Sequence, residues 1–203
     1  MLLAATGAVG LEDRNLQALK ESAAAGGEAL LVARRALEVE ANGKRQIPQA
    51  RSPLKSHRCG AFVVLVSDGR TRACAGTLRP TCPNAAQEII AAAAMAAAGD
   101  PWHPPLRSRD LKTAQVQVFL VGQISPLRSI GELQVAREGL LARRGPRSGV
   151  ILPGEARTAS WALREARRKA GLHPGERADL FRFSAICWRE PKPDAGNSRA
   201  RQK

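Results

Sequence analysis

A β-hairpin signal constrains the fold of this chain more than any other feature of its sequence. Residues 61–66 form an apolar run rich in β-branched side chains, and Ser67-Asp68-Gly69 separates it from a second strand-like run at residues 70–75. An Asp-Gly pair between two such runs favours a tight turn that pairs the strands antiparallel. We therefore predict an antiparallel β-sheet, to which the rest of the chain must add strands or helices.

Four further segments have the pattern of strands. They are residues 114–121, 139–142, 149–152 and 180–188. In the first of these, Val116 and Val118 fall on one face while Gln115 and Gln117 fall on the other, which is the period of two that a strand requires. The second and third are short and flank a turn around Gly145.

Helix-capping residues predict the main helices. Asn84 would cap a helix over Ala85–Ala98, and Ser160 would cap one over residues 161–170. A third amphipathic pattern covers residues 28–42. Together these elements predict an α+β fold with a mainly antiparallel sheet flanked by helices. A length of 203 residues also allows a small second subdomain.

The composition changes at both ends of the chain. Residues 1–26 predict a lead-in that is mobile or weakly helical, residues 27–190 a folded domain, and residues 191–203 a disordered basic tail. No apolar run approaches the ~20 residues of a membrane span, and the opening segment has no basic region of the kind a signal peptide carries. We therefore expect a cytoplasmic protein without a membrane partner.

The cysteines indicate neither a disulfide nor a metal site. The chain has four, which are Cys59, Cys74, Cys82 and Cys187, and none of them forms a C-x-x-C pair. Their spacing does not match that of zinc ligands either. We expect reduced thiols in a reducing compartment, and the sequence predicts neither a bound metal nor any particular cofactor.

The formal net charge of +14 raises the question of a polyanionic partner. Residues 1–102 carry 12 basic and 9 acidic side chains, whereas residues 103–203 carry 20 and 9. A basic half of this kind can attract nucleic acid. However, only seven residues are Phe or Trp, and single-strand binders interleave aromatic residues with basic ones. We favour a solvated basic face and keep RNA binding as the less favoured alternative.

Residues 72–78, with the sequence Arg-Ala-Cys-Ala-Gly-Thr-Leu, resemble the R-G-C-I-G-T signature of the AMMECR domain family. Further segments resemble the family's motifs and come in the family's order. They are Asp100-Pro101, Pro104-Pro105-Leu106, Gly139-Leu140, residues 150–153 with Trp161, and residues 169–172. The resemblance covers about residues 28–188, so residues 27–190 are identified as an AMMECR-like domain.

This resemblance implies a two-part α+β fold with the motif cysteine near a groove between the parts. In bacteria and archaea, relatives are often encoded beside or fused to a Memo-like protein, which is related to extradiol dioxygenases, and a radical-SAM protein. The resemblance therefore implies these two proteins of the AmmeMemoRadiSam system as partners. The family's own reaction is not established, so the resemblance makes no prediction of an enzymatic activity.

The chain departs from the family pattern at several motif positions. Ala73 and Ala75 stand where the signature has glycine and isoleucine, and Glu138 stands where the family has a histidine. In addition, Trp102-His103 replaces the family's usual Arg-Phe pair. The altered motif is either degenerate or specialised, and His103 could take the role of the missing histidine.

Cys74 is the candidate at the centre of the functional site. A nucleophilic thiol needs a nearby cation to lower its pKa and a base to activate it. Arg72 would supply the cation and His103 the base. The other candidates would bind a substrate or partner, and they are Gly76, Thr77, Asp100, Pro105, Glu138 and Trp161.

Each of these interpretations has an alternative. Free cysteines are often small buried hydrophobic residues, so Cys74 could be a packing residue. Trp161 could equally be a core anchor, and Glu138 an exposed carboxylate beside arginines. The sequence leaves two main functions open. The protein either acts on or binds a small substrate or partner at the motif, or it is a non-catalytic interaction module that holds a peptide or a partner loop.

Overall fold

The computed structural model describes residues 11–43, 53–99, 103–173 and 175–192. In chain order its elements are α1 (Leu11–Glu21), α2 (Ala23–Asn42), β1 (Ala61–Ser67), β2 (Arg70–Gly76), α3 (Ala85–Ala98), α4 (Ser108–Thr113), β3 (Gln115–Pro126), β4 (Glu138–Arg144), β5 (Arg147–Ile151), α5 (Ala159–Lys169) and β6 (Asp179–Arg189), with 3₁₀ turns at Leu54–Ser56 and Ile130–Glu132. The strands are hydrogen-bonded in the order β2-β1-β3-β6-β4-β5, and the registered pairs are antiparallel. The predicted α+β fold with a mainly antiparallel sheet is confirmed.

The chain divides into two compact units. Unit 1 comprises Met1–Ala18 and Val121–Ile186, and unit 2 comprises Leu19–Leu120 and Cys187–Lys203. Each unit therefore takes two stretches that are far apart in the sequence. Hydropathy patterns report on neighbouring residues only, so they could not reveal this division.

Unit 2 is built on the predicted hairpin. β1 is buried over residues 61–65 and pairs with β2 on one side and with β3 on the other. α3 packs against β1 and β2, and α2 packs against α3. The two helices share a face of small side chains, which includes the buried Ala29, Ala33, Ala92 and Ala93. The alanine-rich sequence of α3 is explained by this close packing.

In unit 1, α5 packs against β4 and β5. The core of this unit contains Leu140, Ile151, Ala162 and Ala166. Gly149 is required where β5 meets α5, because a Cβ atom there would lie 1.9 Å from the Ala166 carbonyl oxygen. The helix therefore packs closely on one face of β5, which is the last strand in the sheet order.

The start of α2 differs from the prediction. The helix begins at Ala23 with Ser22 as its N-cap, whose hydroxyl accepts a backbone hydrogen bond of 3.3 Å. Gly26 and Gly27 thus lie inside the helix and do not separate it from a lead-in. A Cβ atom at Gly26 would lie 2.7 Å from the Trp188 indole, so this glycine lets the aromatic ring approach the helix.

The start of α5 and the length of β3 also differ. Thr158 caps α5 in place of Ser160, and its hydroxyl accepts a hydrogen bond of 3.2 Å from the Trp161 amide. β3 continues past the predicted end at residue 121 to Pro126. α4 has no counterpart in the prediction, whereas α1 lies within residues 1–26, for which a weakly helical segment is one of the two predicted alternatives. The expectations for residues 1–10, 100–102 and 193–203, Asp100 included, lie outside the described residues.

Candidate functional site

Cys74 lies in the middle of β2, the first strand in the sheet order. It is half-buried, and it is registered with Val64 of β1. Its neighbours Ala73 and Ala75 are registered with Leu65 and Val63, which are completely buried. Because side chains alternate along a strand, the two departures from the family signature on β2 fall on the face opposite to Cys74.

Arg72 occupies an irregular position on the same strand. Leu65 is registered with Ala73, but Val66 is registered with Thr71, so Arg72 is an extra residue opposite this point of β1. An extra residue of this kind is a β-bulge, which bends the strand and redirects a side chain. The bulge explains how Arg72 leaves the sheet to make contacts elsewhere.

The Arg72 guanidinium holds the loop before α4. It donates to the carbonyl oxygens of Pro104 at 2.9 Å and Pro105 at 3.2 Å, and it forms an ion pair with Asp110 at 2.6 Å. The backbone N–H of Arg107 and the Arg72 guanidinium hold the pKa of Asp110 below its usual range. Arg72 therefore joins β2 to the segment that contains the predicted Pro105.

The same loop is also fixed from the side of α3. The Leu106 amide donates to the Ala97 carbonyl at 2.9 Å. At Gly99 the backbone has φ +85, and a Cβ atom would lie 2.8 Å from the His103 carbonyl oxygen. The predicted His103 thus lies in a loop that is held by hydrogen bonds at β2 and at α3.

The packing of β2 against β1 explains why residue 76 is a glycine. A Cβ atom at this position would lie 2.1 Å from the Ala61 carbonyl oxygen and 2.6 Å from the Phe62 Cα. No side chain fits there without moving β1. The sequence interpretation assigned Gly76 to the approach of a ligand, whereas the structure places the backbone of the neighbouring strand against it.

Thr77 binds a residue that sequence reasoning missed. Its hydroxyl donates to Glu88 of α3, whose side chain is only 1% exposed. Glu88 also accepts hydrogen bonds from the amides of Thr81 at 2.8 Å and Cys82 at 2.7 Å, and from the Thr81 hydroxyl at 3.0 Å. The sequence did hold a signal, because Glu88 is the single charged residue of α3, in which Gln87 is the other polar side chain.

These hydrogen bonds decide the charge state of Glu88. Burial alone would raise the pKa of its carboxyl, but the donors from Thr77, Cys82 and Thr81 outweigh burial and lower the pKa below its usual range. Glu88 is therefore an anion that ties the loop after β2 to the first turn of α3.

Burial suppresses the ionisation of two of the other cysteines. All four are reduced thiols. Burial, together with the negative charge of Glu88, raises the pKa of Cys59 to about 12. Burial also raises the pKa of Cys187, although Arg189 opposes the effect. Since the thiolate is the nucleophilic form, Cys59 and Cys187 are poor nucleophiles.

Glu138 and Trp161 belong to unit 1 and not to the unit that holds Cys74. Glu138 begins β4, accepts a hydrogen bond from the Gln134 amide at 2.9 Å and pairs with Arg182 at 3.6 Å. Trp161 is 36% exposed in the first turn of α5, so the alternative of a core anchor does not fit it.

A second motif of the resemblance also has a structural explanation in unit 1. Lys169, at the end of α5, donates to the Val150 carbonyl at 3.2 Å and pairs with Glu155 at 2.7 Å. The other oxygen of Glu155 accepts from the Leu152 amide at 2.9 Å. These contacts fix the turn after β5, in which Pro153 is buried.

The cleft found in unit 2 lies away from the motif. It has a volume of about 510 Å³, and its lining consists of Arg34, Glu38, Leu111, Lys112, Ala114, Glu190 and Pro191. Arg34 is fully engaged there, because it forms an ion pair with Glu190 and donates to the carbonyls of Leu111 and Ala114. None of the predicted site residues lines this cleft.

Neither a metal-binding cluster nor a membrane-spanning helix is found in the part of the chain that the structure describes. No group of three or more His, Cys, Asp or Glu side chains is arranged to hold a metal ion there. None of the described helices combines the length and the apolar character needed to cross a bilayer.

Comparison with known proteins identifies the family. A sequence profile of the AMMECR1 family matches residues 30–188. A protein of Thermotoga maritima is 37% identical over 135 residues, which cover 64% of this chain and 78% of that protein. A protein of Aeropyrum pernix is 34% identical over 195 residues, which cover 83% of this chain and 80% of that protein.

A solved structure supports the same assignment. The crystal structure of an uncharacterized protein from Pyrococcus horikoshii has a TM-score of 0.72 and 26% sequence identity to this chain, with 83% of this chain and 93% of that one covered. The chain therefore belongs to the AMMECR1 family.

Proposed function

We propose that the protein is a binding module that holds a small molecule, or a short segment of a partner protein, at residues 72–77, with Cys74 in contact with the ligand. Two hydrogen-bond networks carry this proposal, because they hold the segment at both ends. Arg72 binds the loop before α4, and Thr77 binds the buried Glu88. Between these two anchors, Cys74 is half-buried.

A segment held in this way suits recognition. Binding costs less free energy when the contacting groups are already ordered, since no loop has to be fixed when the ligand arrives. The buried carboxylate of Glu88 keeps the loop after β2 ordered, because it accepts hydrogen bonds from Thr77, Thr81 and Cys82. A partly exposed side chain on a fixed strand then offers a defined contact to the ligand.

The same contacts favour binding over catalysis by the motif. An enzyme of the kind considered from the sequence would use Arg72 to stabilise a thiolate and Thr77 to donate to a substrate. Both side chains already have charged acceptors, namely Asp110 and Glu88. A substrate would have to displace one of these carboxylates before it could use either donor.

The family resemblance suggests where such binding would act. Relatives are encoded with Memo-like and radical-SAM proteins, so we place the ligand in a cytoplasmic pathway that these proteins serve. The module would bind either a segment of one of these two proteins or a small molecule that serves one of them as a substrate.

Disulfide capture tests this proposal. The protein is equilibrated with a library of small disulfide-containing compounds, and peptide mass spectrometry identifies the adducts at each cysteine. We expect Cys74 to capture a small and reproducible subset of the library, because a preformed site selects among compounds. The variant Arg72→Ala, which releases the loop held at Pro104 and Pro105, should lose most of this selection.

Cys82 is the matched control, since it is also a half-buried reduced cysteine of unit 2. Cys59 and Cys187 serve as slow references, because burial raises the pKa of both thiols. The proposal is contradicted if Cys74 captures compounds with no more selection than Cys82, or if it reacts only after the protein has been denatured.

A further inference from the structure

Unit 1 carries more positive charge than its own carboxylates neutralise. Its two stretches, residues 1–18 and 121–186, together contain 13 Arg and Lys side chains but only 8 Asp and Glu. Four of the acidic residues are already held in ion pairs. These are Glu138 with Arg182, Glu155 with Lys169, Glu165 with Arg168, and Glu176 with Arg144 and Arg147. Several arginines of residues 121–186 therefore form no ion pair with a carboxylate of the described residues.

Two of these arginines flank the exposed tryptophan of α5. Arg164 lies three residues after Trp161, a spacing that puts both side chains on one face of the helix, and both are exposed. Arg157 is exposed directly before the N-cap of the same helix. Among the described residues, neither arginine forms an ion pair.

The acidic residue next to Arg164 is hydrogen-bonded to another arginine, and Arg164 acts on it only through a smaller Coulomb attraction. Glu165 is hydrogen-bonded by Arg168 at 2.9 Å, and this bond is the main cause that holds the pKa of Glu165 below its usual range. The helix itself is well anchored, since Ala162 and Ala166 are buried and Lys169 is tied to β5. The exposed face of the anchored helix therefore presents the Trp161 indole and the Arg164 guanidinium, and Arg157 is exposed just before the helix begins.

We propose that Arg157, Trp161 and Arg164 form a docking surface for an acidic segment of a partner protein. An apolar side chain of that segment would cover the indole, and carboxylates on either side would pair with the two guanidinium groups. Trp and Arg are the residue types that contribute most to protein–protein binding, and a guanidinium binds a carboxylate in a defined bidentate geometry. This surface belongs to unit 1 and does not depend on the function proposed for Cys74.

A protein segment fits this surface better than single-stranded nucleic acid does. Proteins that bind single strands stack successive bases on several aromatic side chains. Among the described residues, the large hydrophobic side chains that are exposed are Leu31, Met95 and Trp161, so only one of them is aromatic. One indole between two arginines instead matches a short acidic segment with one apolar anchor.

Nuclear magnetic resonance of the indole groups provides the test. The chain has three tryptophans, so protein labelled with ¹⁵N-tryptophan gives three indole signals, and Trp161→Phe identifies the one from Trp161. The probe is a short peptide of glutamates around one leucine. We expect it to shift the Trp161 signal until saturation, whereas the same peptide with glutamines should leave the signal in place. The Trp188 signal should stay unchanged, because that indole packs against Gly26 in unit 2.

Two variants of equal net charge separate a specific surface from general attraction. Reversal of both flanking arginines, Arg157→Glu with Arg164→Glu, should weaken peptide binding about tenfold or more. Reversal of two other exposed arginines of unit 1, Arg128→Glu with Arg177→Glu, should change it less than about twofold. Equal weakening in both variants, or an unmoved Trp161 signal, would overturn the proposal. Tighter binding of oligouridylate than of the peptide would overturn it in favour of nucleic acid.

Discussion

Each unit fixes one backbone turn with one charged side chain, and the two turns differ in how much water reaches that side chain. In unit 2, Glu88 is 1% exposed and gathers donors from the loop after β2. In unit 1, Lys169 binds the turn after β5 through Val150 and Glu155, and the side chains of the Lys169–Glu155 pair are 24% and 28% exposed. Water can replace a lost partner only in the second case. Charged residues with similar roles should therefore contribute very differently to stability.

The largest effect is expected at the buried carboxylate. The variant Glu88→Ala leaves the amides of Thr81 and Cys82 without their acceptor, and the position that the carboxylate vacates is buried. We expect the free energy of unfolding to fall by about 3–5 kcal/mol. Urea unfolding of the variant and the parent protein measures the difference.

Hydrogen exchange shows whether this loss arises at the turn. In Glu88→Ala the amides of Thr81 and Cys82 should exchange faster through local opening, while the Leu152 amide in unit 1 keeps its protection. A loss of less than about 1 kcal/mol would mean that the loop finds other partners. The contrast between the two units would then disappear.

Acid should weaken the same buried network, by less than removal of the side chain does. Because the folded-state pKa of Glu88 is lowered from 4.5, its contribution to stability is fully present above about pH 4.5. The contribution is lost as the pH falls through the lowered folded-state pKa, since protonation removes the charge that the donors bind. Urea unfolding at a series of pH values gives the free energy of unfolding as a function of pH. Below pH 4.5 this free energy should fall less steeply with decreasing pH in Glu88→Gln than in the parent protein.

Salt separates Glu88 from the more accessible carboxylates whose pKa is also lowered. In unit 1, the hydrogen bond from Arg147 is the main cause that lowers the pKa of the partly exposed Glu176 to about 2. High salt screens a solvent-accessible pair of this kind, but it screens a buried carboxylate much less. The difference in slope between the parent and Glu88→Gln should therefore survive high salt. If this difference vanished at high salt, the acid sensitivity would arise from solvent-accessible carboxylates and not from Glu88.

The elements that the sequence predicted well are those whose signals are local. The hairpin of β1 and β2 follows from Asp68-Gly69, and α3 follows from the Asn84 cap and the residues up to Ala98. α4 was missed because its six residues include a single buried apolar side chain, Leu111, and because Asp110 is held by Arg72, which is distant in the sequence. Such a short helix depends on tertiary contacts that no local pattern contains.

The same limit applies to the candidate site: local motifs indicate which residues to consider, but not the tertiary contacts that those residues make. The motif on β2 located Cys74 and the loop around Pro105, since both carry the family resemblance. What the motif residues contact was not predictable, because Arg72 is redirected by a bulge and Thr77 is bound by Glu88 on another element. A charged residue on a helix normally lies in water, so the burial of Glu88 emerges only when the loop folds over it.

The smallest effect is expected at the half-exposed lysine of unit 1. The variant Lys169→Met keeps most of the aliphatic chain and removes the ammonium group from Val150 and Glu155, where water can take its place. We expect a loss of about 0.5–1 kcal/mol in the free energy of unfolding, measured by urea unfolding as for Glu88→Ala. A double-mutant cycle with Glu155→Gln separates the ion pair from the carbonyl contact, since only the coupled part belongs to the pair. If Lys169→Met lost as much free energy of unfolding as Glu88→Ala, the turn in unit 1 would depend on Lys169 as strongly as the turn in unit 2 depends on Glu88. The solvent exposure of the charged side chain would then not determine how much it contributes to stability.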